Sequence, residues 1–434
     1  MFFHRQAQTS PSCFSTSLAR CKRYIKRRRG KQDYTGVDAS TQTDFDGKEG
    51  PNKLQGDVNP PKPPKDYSWM LENANDLIVL RLTPDYVQQS TIPVSSRDGY
   101  DTLCSYSWKQ TDVPTIYVPG TPATFTKPDT FPLQLDPDTG LHYIDQHTHR
   151  VPKHQYEPVF QALAVVNPDV RFNNVDIVVN RSSLQNLLKF VNDKAFQAFH
   201  LDLDIEGSTL FIGRKVYKGR VSSAPGSYGR NFEATFTTED PELEDASGHH
   251  RVLRYKLGPL DIVLRLEVDA YRADFEDDPD APKSCLAEYI PKPELTTTID
   301  HHSPQPTAVI ARGTMVSHSK TIELKSNEKS RPLEQMWLGR TPSCCLGAHK
   351  NGFYKRTFEK HVTQKEFEEW EQKQQDGLQK LVWLLQKLRE VVTNHTRERS
   401  AVLVALGKGE PLQVYETKER IGALPKEIVE HFWT

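Results

Sequence analysis

Two acidic residues end the apolar segment LDIVLRLEVDAY, in which Glu267 and Asp269 are separated by a single residue. Side chains two positions apart on a β-strand point to the same face of a sheet. Burying two like charges side by side is unfavourable unless a cation lies between them, and magnesium and manganese favour carboxylate oxygens. The pair is therefore a candidate buried metal site, although a solvated edge strand is the better explanation of a Glu-x-Asp pair taken alone.

A second pair of charged residues lies in SKTIELKS, where Glu323 and Lys325 again share one face of an apolar strand. An acid beside an amine suits phosphodiester hydrolysis, because the acid can complete a metal site while the ammonium holds the attacking water or neutralises the transition state. A surface ion pair would explain these two residues alone. Glu-x-Asp followed by Glu-x-Lys on adjacent strands, however, resembles the metal-binding pattern of PD-(D/E)XK nucleases.

Further motifs, in the same order, resemble one branch of that superfamily, the DXO family of decapping exoribonucleases and RNA 5′ pyrophosphohydrolases. GRNFE at 229–233 is similar to the family's Gly-x-x-Phe-Glu motif, EVDA to its Glu-hydrophobic-Asp-Ala motif and ELKS to its Glu-Leu-Lys motif. Arg181 resembles the arginine of the first motif, and Gln335 precedes Gly339 and Pro342 as in family members. The resemblance covers about residues 155–390 and is that of a divergent, fungal-type member.

The resemblance implies a hydrolase for RNA 5′ ends that works by decapping, pyrophosphohydrolysis or 5′ to 3′ exonuclease cleavage. It implies two Mg²⁺ or Mn²⁺ ions, which would brace the attacking water and the leaving oxygen. The implied ligands are the side chains of Glu233, Glu267, Asp269 and Glu323 and the carbonyl of Leu324. The implied catalytic groups are Glu233, Lys325 and Gln335, with Arg181 as a bidentate phosphate ligand.

Two departures leave alternatives open. The segment between Asp269 and Glu323 is longer than the family usually shows, and the N-terminal portion carries no matching motif, which leaves the 5′-end preference undetermined. A non-catalytic relative that binds RNA, or that binds and supports a 5′ to 3′ exoribonuclease, is the main alternative. DNA is a further possible substrate, because a fold does not select the polymer.

Two other polar patterns do not support a second chemistry. The run DFEDDPD resembles the aspartate-rich box of prenyl-diphosphate synthases, but it contains Pro279 and has no partner box. The pairs His249–His250 and His301–His302 are expected to lie solvated in polar loops and are assigned no role.

The elements that must position these residues are a mixed sheet and flanking helices, which predicts an α+β fold with a PD-(D/E)XK nuclease-like core and long loops. SSLQNLLKFV predicts a helix after Arg181, capped by Ser182 or Ser183. HLDLDIEGSTLFIGRKV predicts a hairpin with one buried face, and VLRYKLG and LDIVLRLEVDAY predict two strands around Gly258. A capping box of Thr363 and Glu366 begins a long amphipathic helix. Its apolar face carries Phe367, Trp370, Leu378, Leu381, Leu385 and Leu388.

The chain is predicted to have three regions. Residues 1–66 form a disordered basic tail and a Pro-rich linker, because they contain too few large apolar residues for a core. Residues 67–434 form one nuclease-fold domain with its core at 155–390, in which strands and loops before 155 pack on later elements. An acidic, Pro-rich insertion at 274–305 is expected to leave the sheet.

Composition and charge favour an intracellular protein that does not cross a membrane. The net charge is -1, but no acidic residue precedes Asp33 while basic residues crowd the segment KRYIKRRRGK. That segment is typical of a nuclear signal, and the preceding Ser- and Arg-rich start is equally typical of a mitochondrial transit peptide. The longest apolar stretch is far short of a spanning helix. Six cysteines without a CxxC pair are expected to be reduced thiols.

Overall fold

The computed structural model describes residues 67–275 and 306–434. The predicted tail and linker at 1–66, residues 276–305 of the predicted acidic insertion and the second histidine pair lie outside the described residues. The disordered tail and the excursion of the insertion therefore stay predictions.

Seven α-helices lie in the described part of the chain, and one of them is much longer than the others. The helices are α1 (Gln146–Arg150), α2 (Glu157–Val166), α3 (Arg181–Val191), α4 (Gly229–Thr235), α5 (Leu333–Gly339), α6 (Gln364–His395) and α7 (Lys426–Phe432).

Twenty strands in the same residues form three sheets. The strands are β1 (Ala74–Leu82), β2 (Asp101–Lys109), β3 (Thr115–Pro119), β4 (Thr124–Phe125), β5 (Leu133–Gln134), β6 (Leu141–Tyr143), β7 (Ile177–Asn180), β8 (Phe199–Glu206), β9 (Thr209–Lys215), β10 (Arg220–Ser222), β11 (Thr237–Thr238), β12 (Ala246–Leu257), β13 (Leu260–Val268), β14 (Ala270–Tyr271), β15 (Ala308–Arg312), β16 (Thr321–Lys325), β17 (Ser343–Lys350), β18 (Phe353–His361), β19 (Ser400–Ala405) and β20 (Leu412–Thr417).

The sheets are mixed, which confirms the predicted α+β class with helices flanking a mixed sheet. The large sheet has eleven strands in the order β1-β20-β19-β8-β9-β7-β13-β12-β2-β3-β15. The small sheet has seven, in the order β11-β4-β14-β16-β17-β18-β5, and β6 and β10 form a separate two-stranded ribbon. The large sheet contains parallel pairs at β13–β7, β7–β9 and β15–β3, and the small sheet contains parallel pairs at β16–β17 and β14–β4.

The central strands of the large sheet are buried on both faces. In β13, Ile262 and Leu264 lie in a core that contains residues of α3, α5 and α6, whereas Val263 lies in a separate core with residues of α2 and α7. The predicted hairpin is present as β8 and β9. Its prediction of a single buried face was wrong, because Phe211 and Ile212 of β9 pack in opposite cores. Helices on both sides exclude water from both faces of the central strands.

The residues before 155 pack on elements that come later in the chain, as predicted. β1 pairs with β20, β2 with β12, and β3 with β15. The first and last described strands are thus neighbours in the large sheet.

Helix α3 begins one residue earlier than predicted, so the assignment of Ser182 or Ser183 as its N-cap was wrong. The helix begins at Arg181, and its N-cap Asn180 makes no side-chain capping bond. Because β7 ends at Asn180, the strand leads directly into the helix, and Ser183 is buried instead of turned to the helix terminus. Arg181 is therefore fixed at the end of a central strand.

The pair His249 and His250 was predicted in a solvated loop, and this was wrong. Both residues lie in β12, between β13 and β2, and both are buried. The Ser107 hydroxyl lies 3.0 Å from Nδ1 of His249, and the ring of His250 stacks on Tyr106 with centroids 5.4 Å apart. Pairing on both sides of β12 overrides the local polarity of this segment, as tertiary context often does.

The predicted amphipathic helix is α6, with the predicted capping box at its start. The N–H of Glu366 donates to the Thr363 hydroxyl, and the N–H of Thr363 donates to the Glu366 carboxylate. The predicted apolar residues pack in the core shared with α3 and α5, with Trp370 partly buried.

Glu371 connects α6 to two other parts of the fold. Its Oε1 accepts hydrogen bonds from the Ser96 N–H and the Trp337 Nε1–H, each at 2.8 Å, and from the Ser96 hydroxyl. Trp337 belongs to α5, the helix that carries Gln335. Because Glu371 is buried, water cannot replace it as the acceptor for these donors.

Two further predictions about the class of protein can be compared with the described residues. Cys104, Cys344 and Cys345 are free, buried thiols, as expected of reduced cysteines. Among the described helices, none combines the length and the apolarity that a membrane-spanning segment requires.

Replacing Glu371 with Ala should destabilise the fold by about 2–4 kcal/mol, because it leaves buried donors of Ser96 and Trp337 without an acceptor. Urea unfolding followed by far-UV circular dichroism measures this change. The control is Glu368→Ala on the same helix, which removes surface contacts with Arg97 and Gln364 and should leave the unfolding midpoint almost unchanged. Equal midpoints for wild type and Glu371→Ala would contradict the role assigned to Glu371.

Candidate active site

The predicted site lies where the chain passes from the large sheet to the small one. β13 ends at Val268 in the large sheet, and β14 begins at Ala270 in the small sheet, where Ala270 lies opposite Ile322 of β16. Asp269 is the residue between the two sheets. This transfer brings the Glu-x-Asp motif beside the Glu-x-Lys motif, as the sequence pattern predicted.

Glu323 is the buried centre of the site and is 2% exposed. Its Oε2 accepts a hydrogen bond from Nη1 of Arg181 at 3.1 Å, and its Oε1 accepts from Lys325 Nζ and Gln335 Nε2. Burial alone would raise its pKa, but the charges of Lys325 and Arg181 lower that pKa to about 2. Three of the predicted functional residues therefore meet at one ionised carboxylate.

Asp269 lies above this centre and is fixed by the main chain of β16. The Leu324 N–H donates to Oδ2 of Asp269 at 2.7 Å, and Lys325 Nζ lies 3.9 Å from the same oxygen. Burial and the charge of Glu323 raise the pKa of Asp269 to about 7, although Lys325 opposes the shift. Burial lowers the pKa of Lys325, but the charges of Glu323 and Asp269 outweigh this effect and raise it, so the amine stays protonated.

Glu233 and Glu267 lie with Asp269 in a set of three carboxylates that we call the acidic group. The side chains of Glu233 and Glu267 are exposed to water. The expected burial of Glu267 and Asp269 side by side was therefore wrong, because Glu267 is exposed at the end of β13 while Asp269 is half-buried between the sheets. Both carboxyl groups are nevertheless crowded by protein. This crowding raises the pKa of both carboxyl groups. The charges of Asp269 and Glu267 raise the pKa of Glu233 further, and those of Asp145 and Glu323 do the same for Glu267. Arg230, which follows the first residue of α4, opposes both shifts.

The acidic group has the right chemistry to hold a divalent cation, but its side chains do not form a finished cage. Asp269 and Glu267 repel Glu233, Glu323 repels both Glu267 and Asp269, and a bound cation would relieve that repulsion. The Glu323 oxygens are engaged by Arg181 and its other partners. Within the described ranges, no three His, Cys, Asp or Glu side chains are arranged closely enough to hold a metal ion. The predicted metal ligands therefore stay predictions.

Sequence analysis missed Asp138, which fixes the helix that carries Glu233. Helix α4 has no side-chain cap of its own at Tyr228. The Asp138 carboxylate accepts hydrogen bonds from the N–H groups of Arg230 at 3.2 Å and Asn231 at 2.9 Å, and from the Ser227 hydroxyl at 2.7 Å. Only the missing local cap at the start of GRNFE could have indicated that such a partner was needed.

Sequence analysis also missed that Gln146 lies close to the site. Gly248 has a φ of +132°, and a Cβ placed on it would lie 2.7 Å from Nε2 of Gln146 and 3.1 Å from Oε1 of Glu267. The start of α1 therefore lies next to Glu267, and a side chain at position 248 would not fit between them. No sequence pattern links these three positions.

The fold is shared with solved structures. Candida albicans Rai1, solved in complex with pU5 and Mn²⁺, is 12% identical with a TM-score of 0.50, covering 81% of this chain and 98% of that one. Schizosaccharomyces pombe Rai1 in complex with 3′-FADP is 12% identical with a TM-score of 0.48, covering 77% and 98%. Kluyveromyces lactis Dxo1 in complex with manganese is 11% identical with a TM-score of 0.47, covering 80% and 99%. The predicted DXO-type fold is confirmed, and at such identity the likeness establishes the fold alone.

Sequence comparison places the chain in a family without an assigned activity. No curated protein sequence matches it. Residues 77–433, which include every residue of the candidate site, match the family described as "Domain of unknown function (DUF8563)". Since this match spans most of the chain, the protein belongs to the DUF8563 family.

Proposed function

We propose that the protein is a divalent-metal-dependent hydrolase that processes RNA 5′ ends. The proposal depends on one observation: Asp269, Glu323 and Lys325 come together where the chain passes between the two sheets, with Lys325 Nζ paired to Glu323 and 3.9 Å from Oδ2 of Asp269. Glu233 and Glu267 add two further carboxyl groups, and the pKa values of Glu233, Glu267 and Asp269 are all raised. The shared fold of Candida albicans Rai1, solved with pU5 and Mn²⁺, supports RNA as the substrate and manganese as a metal. The bond hydrolysed is a phosphodiester or a phosphoanhydride, in a decapping, pyrophosphohydrolase or 5′ to 3′ exonuclease reaction.

The four carboxylates, with the Leu324 carbonyl, are the proposed ligands of one or two Mg²⁺ or Mn²⁺ ions. When bound, such ions supply Lewis acidity toward phosphate oxygens and lower the pKa of a water molecule. The exposed carboxylates of Glu233 and Glu267 are accessible from solvent, and Asp269 is already oriented by the Leu324 N–H. Glu323 becomes available as a ligand once Lys325 and Gln335 turn away from its Oε1.

Lys325 and Gln335, once released from Glu323, would act on the substrate and the attacking water. Lys325, whose pKa is raised, carries a full positive charge that can neutralise the developing negative charge on the scissile phosphate. The Gln335 amide and the Glu233 carboxylate would orient the attacking water. Arg181 keeps one guanidinium edge on Glu323 and offers the other to a phosphate oxygen.

A non-catalytic role in binding RNA or an exoribonuclease is the second candidate, and one observation favours it. Arg181, Lys325 and Gln335 all donate to Glu323, so the centre of the site is a satisfied ion cluster that can serve as a purely structural element. The two candidates differ in whether metal addition leads to RNA cleavage.

The double substitution Glu267→Gln and Asp269→Asn should reduce manganese-dependent product release by at least about 100-fold, because it removes two metal ligands while keeping their size. Product release from 5′-triphosphate, 5′-monophosphate and capped RNAs measures the loss, and the product identifies the bond cleaved. Single-stranded DNA of the same sequence tests the choice of polymer.

The control for this experiment is Asp204→Asn in β8, which also neutralises a carboxyl group. Burial raises the pKa of Asp204 to about 6, so a neutral amide suits its position and turnover should be unchanged. Equal turnover by wild type and the double variant would refute the proposed chemistry. No release from any RNA by folded, manganese-bound wild type would favour the non-catalytic candidate.

Replacing Asp138 with Ala should reduce turnover about 10- to 100-fold by releasing the start of α4, and should cost about 1 kcal/mol of stability as a lost helix cap. If Asp138 acts by positioning Glu233, the substitution should have little further effect on kcat in a Glu233→Gln background. The matched control is Asp240→Ala, which removes the side-chain cap of the short turn at Pro241–Leu243. Equal loss of kcat in both backgrounds would show that Asp138 does not act through Glu233.

A further inference from the structure

The surface beside the site carries two guanidinium groups held against one tyrosine ring. Tyr143 in β6 lies directly opposite Arg220 in β10, and Cζ of Arg220 is 5.0 Å from the centroid of its ring. Cζ of Arg150, at the end of α1, approaches the same ring at 5.0 Å and the ring of Trp108 at 5.2 Å. We call Arg150, Tyr143 and Arg220 the basic-aromatic track.

The positive charge of the track is not neutralised by a neighbouring acid. Arg150 donates to three neutral acceptors, Gln146 Oε1, the Thr111 carbonyl and the Ser247 hydroxyl, and the Arg220 side chain is exposed. Between residues that the structure describes, neither guanidinium takes part in an ion pair. Arg220 can therefore reach an anion directly, whereas the half-buried Arg150 contributes a positive charge that no acid neutralises.

The track is held in place by close packing of the β6–β10 ribbon on α1. The Ile144 N–H donates to the Gly219 carbonyl at 2.8 Å, and a Cβ placed on Gly219 would lie 2.5 Å from Cβ of His149. The Thr148 hydroxyl donates to the Arg214 carbonyl at 2.9 Å. Because the ribbon and the helix are in direct contact, the guanidinium groups are positioned before any ligand binds, which reduces the entropy lost on binding.

Gln146 lies between the basic-aromatic track and the candidate active site. Nε of Arg150 lies 3.2 Å from Oε1 of Gln146, and Gln146 and Glu267 both border the space beside Gly248. Glu267, Gln146, Arg150, Tyr143 and Arg220 therefore form a continuous series from the acidic group to the exposed ribbon. A chain with its reactive end at Glu267 would meet the two arginines in turn.

We propose that the basic-aromatic track binds the nucleotides of a single-stranded RNA that follow the 5′ end held at the acidic site. The inference rests on the proposed function, since it assumes that an RNA 5′ end occupies that site. Arginine binds phosphate oxygens in a fixed, two-pronged geometry, and its exposed face stacks on unpaired bases. The ring of Tyr143 serves as the platform that aligns both guanidinium groups.

Binding of oligouridylates tests the track separately from catalysis. The measurements use the Glu267→Gln and Asp269→Asn double variant as background, so that RNA is not hydrolysed, and compare a 5′-phosphorylated dinucleotide with a decanucleotide. Arg220→Gln should weaken binding of the decanucleotide by roughly five-fold or more and leave the dinucleotide unchanged. The slope of log Kd against log salt concentration should fall by about 0.7 for the lost phosphate contact.

Substitutions of Tyr143 and a matched arginine complete the test. Tyr143→Leu should weaken binding of the decanucleotide as Arg220→Gln does, whereas Tyr143→Phe, which keeps the ring, should not. Arg312→Gln is the control, because Arg312 lies 5.1 Å from the Tyr117 ring but Asp245 accepts a hydrogen bond from that tyrosine. Arg312→Gln should therefore leave the affinity for the decanucleotide unchanged.

The outcomes separate this inference from the proposed function. If folded Arg220→Gln protein binds the decanucleotide with unchanged affinity, or loses equal affinity for both RNA lengths, the proposed role of the basic-aromatic track is wrong. Length-dependent losses in a protein whose wild type cleaves no RNA would support the track and reject the hydrolase.

Discussion

The ion cluster around Glu323 is the constraint on which the rest of the site depends. A buried carboxylate is unfavourable unless charged and polar donors surround it, and removing one donor leaves a larger penalty than the pair was worth. Its donors come from three elements: Lys325 from β16, Arg181 from the start of α3 and Gln335 from α5. Since these elements belong to different parts of the fold, the cluster fixes how the small sheet lies against the helices that cover the large one.

The change of sheet after Val268 turns two short motifs into one site. Within a single flat strand, Glu267 and Asp269 would lie side by side on one face, equally distant from any neighbouring strand. Instead the chain crosses between them, so that Glu267 stays at the exposed end of β13 while Asp269 receives the Leu324 N–H of β16. One intervening residue is the spacing that lets Asp269 approach Lys325 in the small sheet while Glu267 stays at the end of the large one.

Local sequence patterns could predict those residues whose role depends on residues close to them in the sequence. The acidic strand end at Glu267, the Glu-x-Lys strand and the capping box of α6 are of this kind, and the structure brings the predicted site residues together. Asp138 could not be predicted, because it caps a helix 92 residues further along the chain. His249 was misjudged for a related reason: its polar neighbours suggest a loop, but the strands on either side of β12 bury it.

The acidic group opposes the stability of the fold, and this favours a binding role for it. The pKa of Asp269 is raised to about 7, above the value of about 3.9 expected in the unfolded chain. A carboxyl group with a raised pKa stabilises the fold fully below its unfolded pKa, and this contribution is lost as the pH rises through about 7. Near neutral pH the ionised form is therefore held at some cost to folding. Burial raises the pKa of Asp204 as well, but Asp269 differs because it lies beside Glu323 and 3.9 Å from Lys325 Nζ, so its charge fits the proposed cation binding.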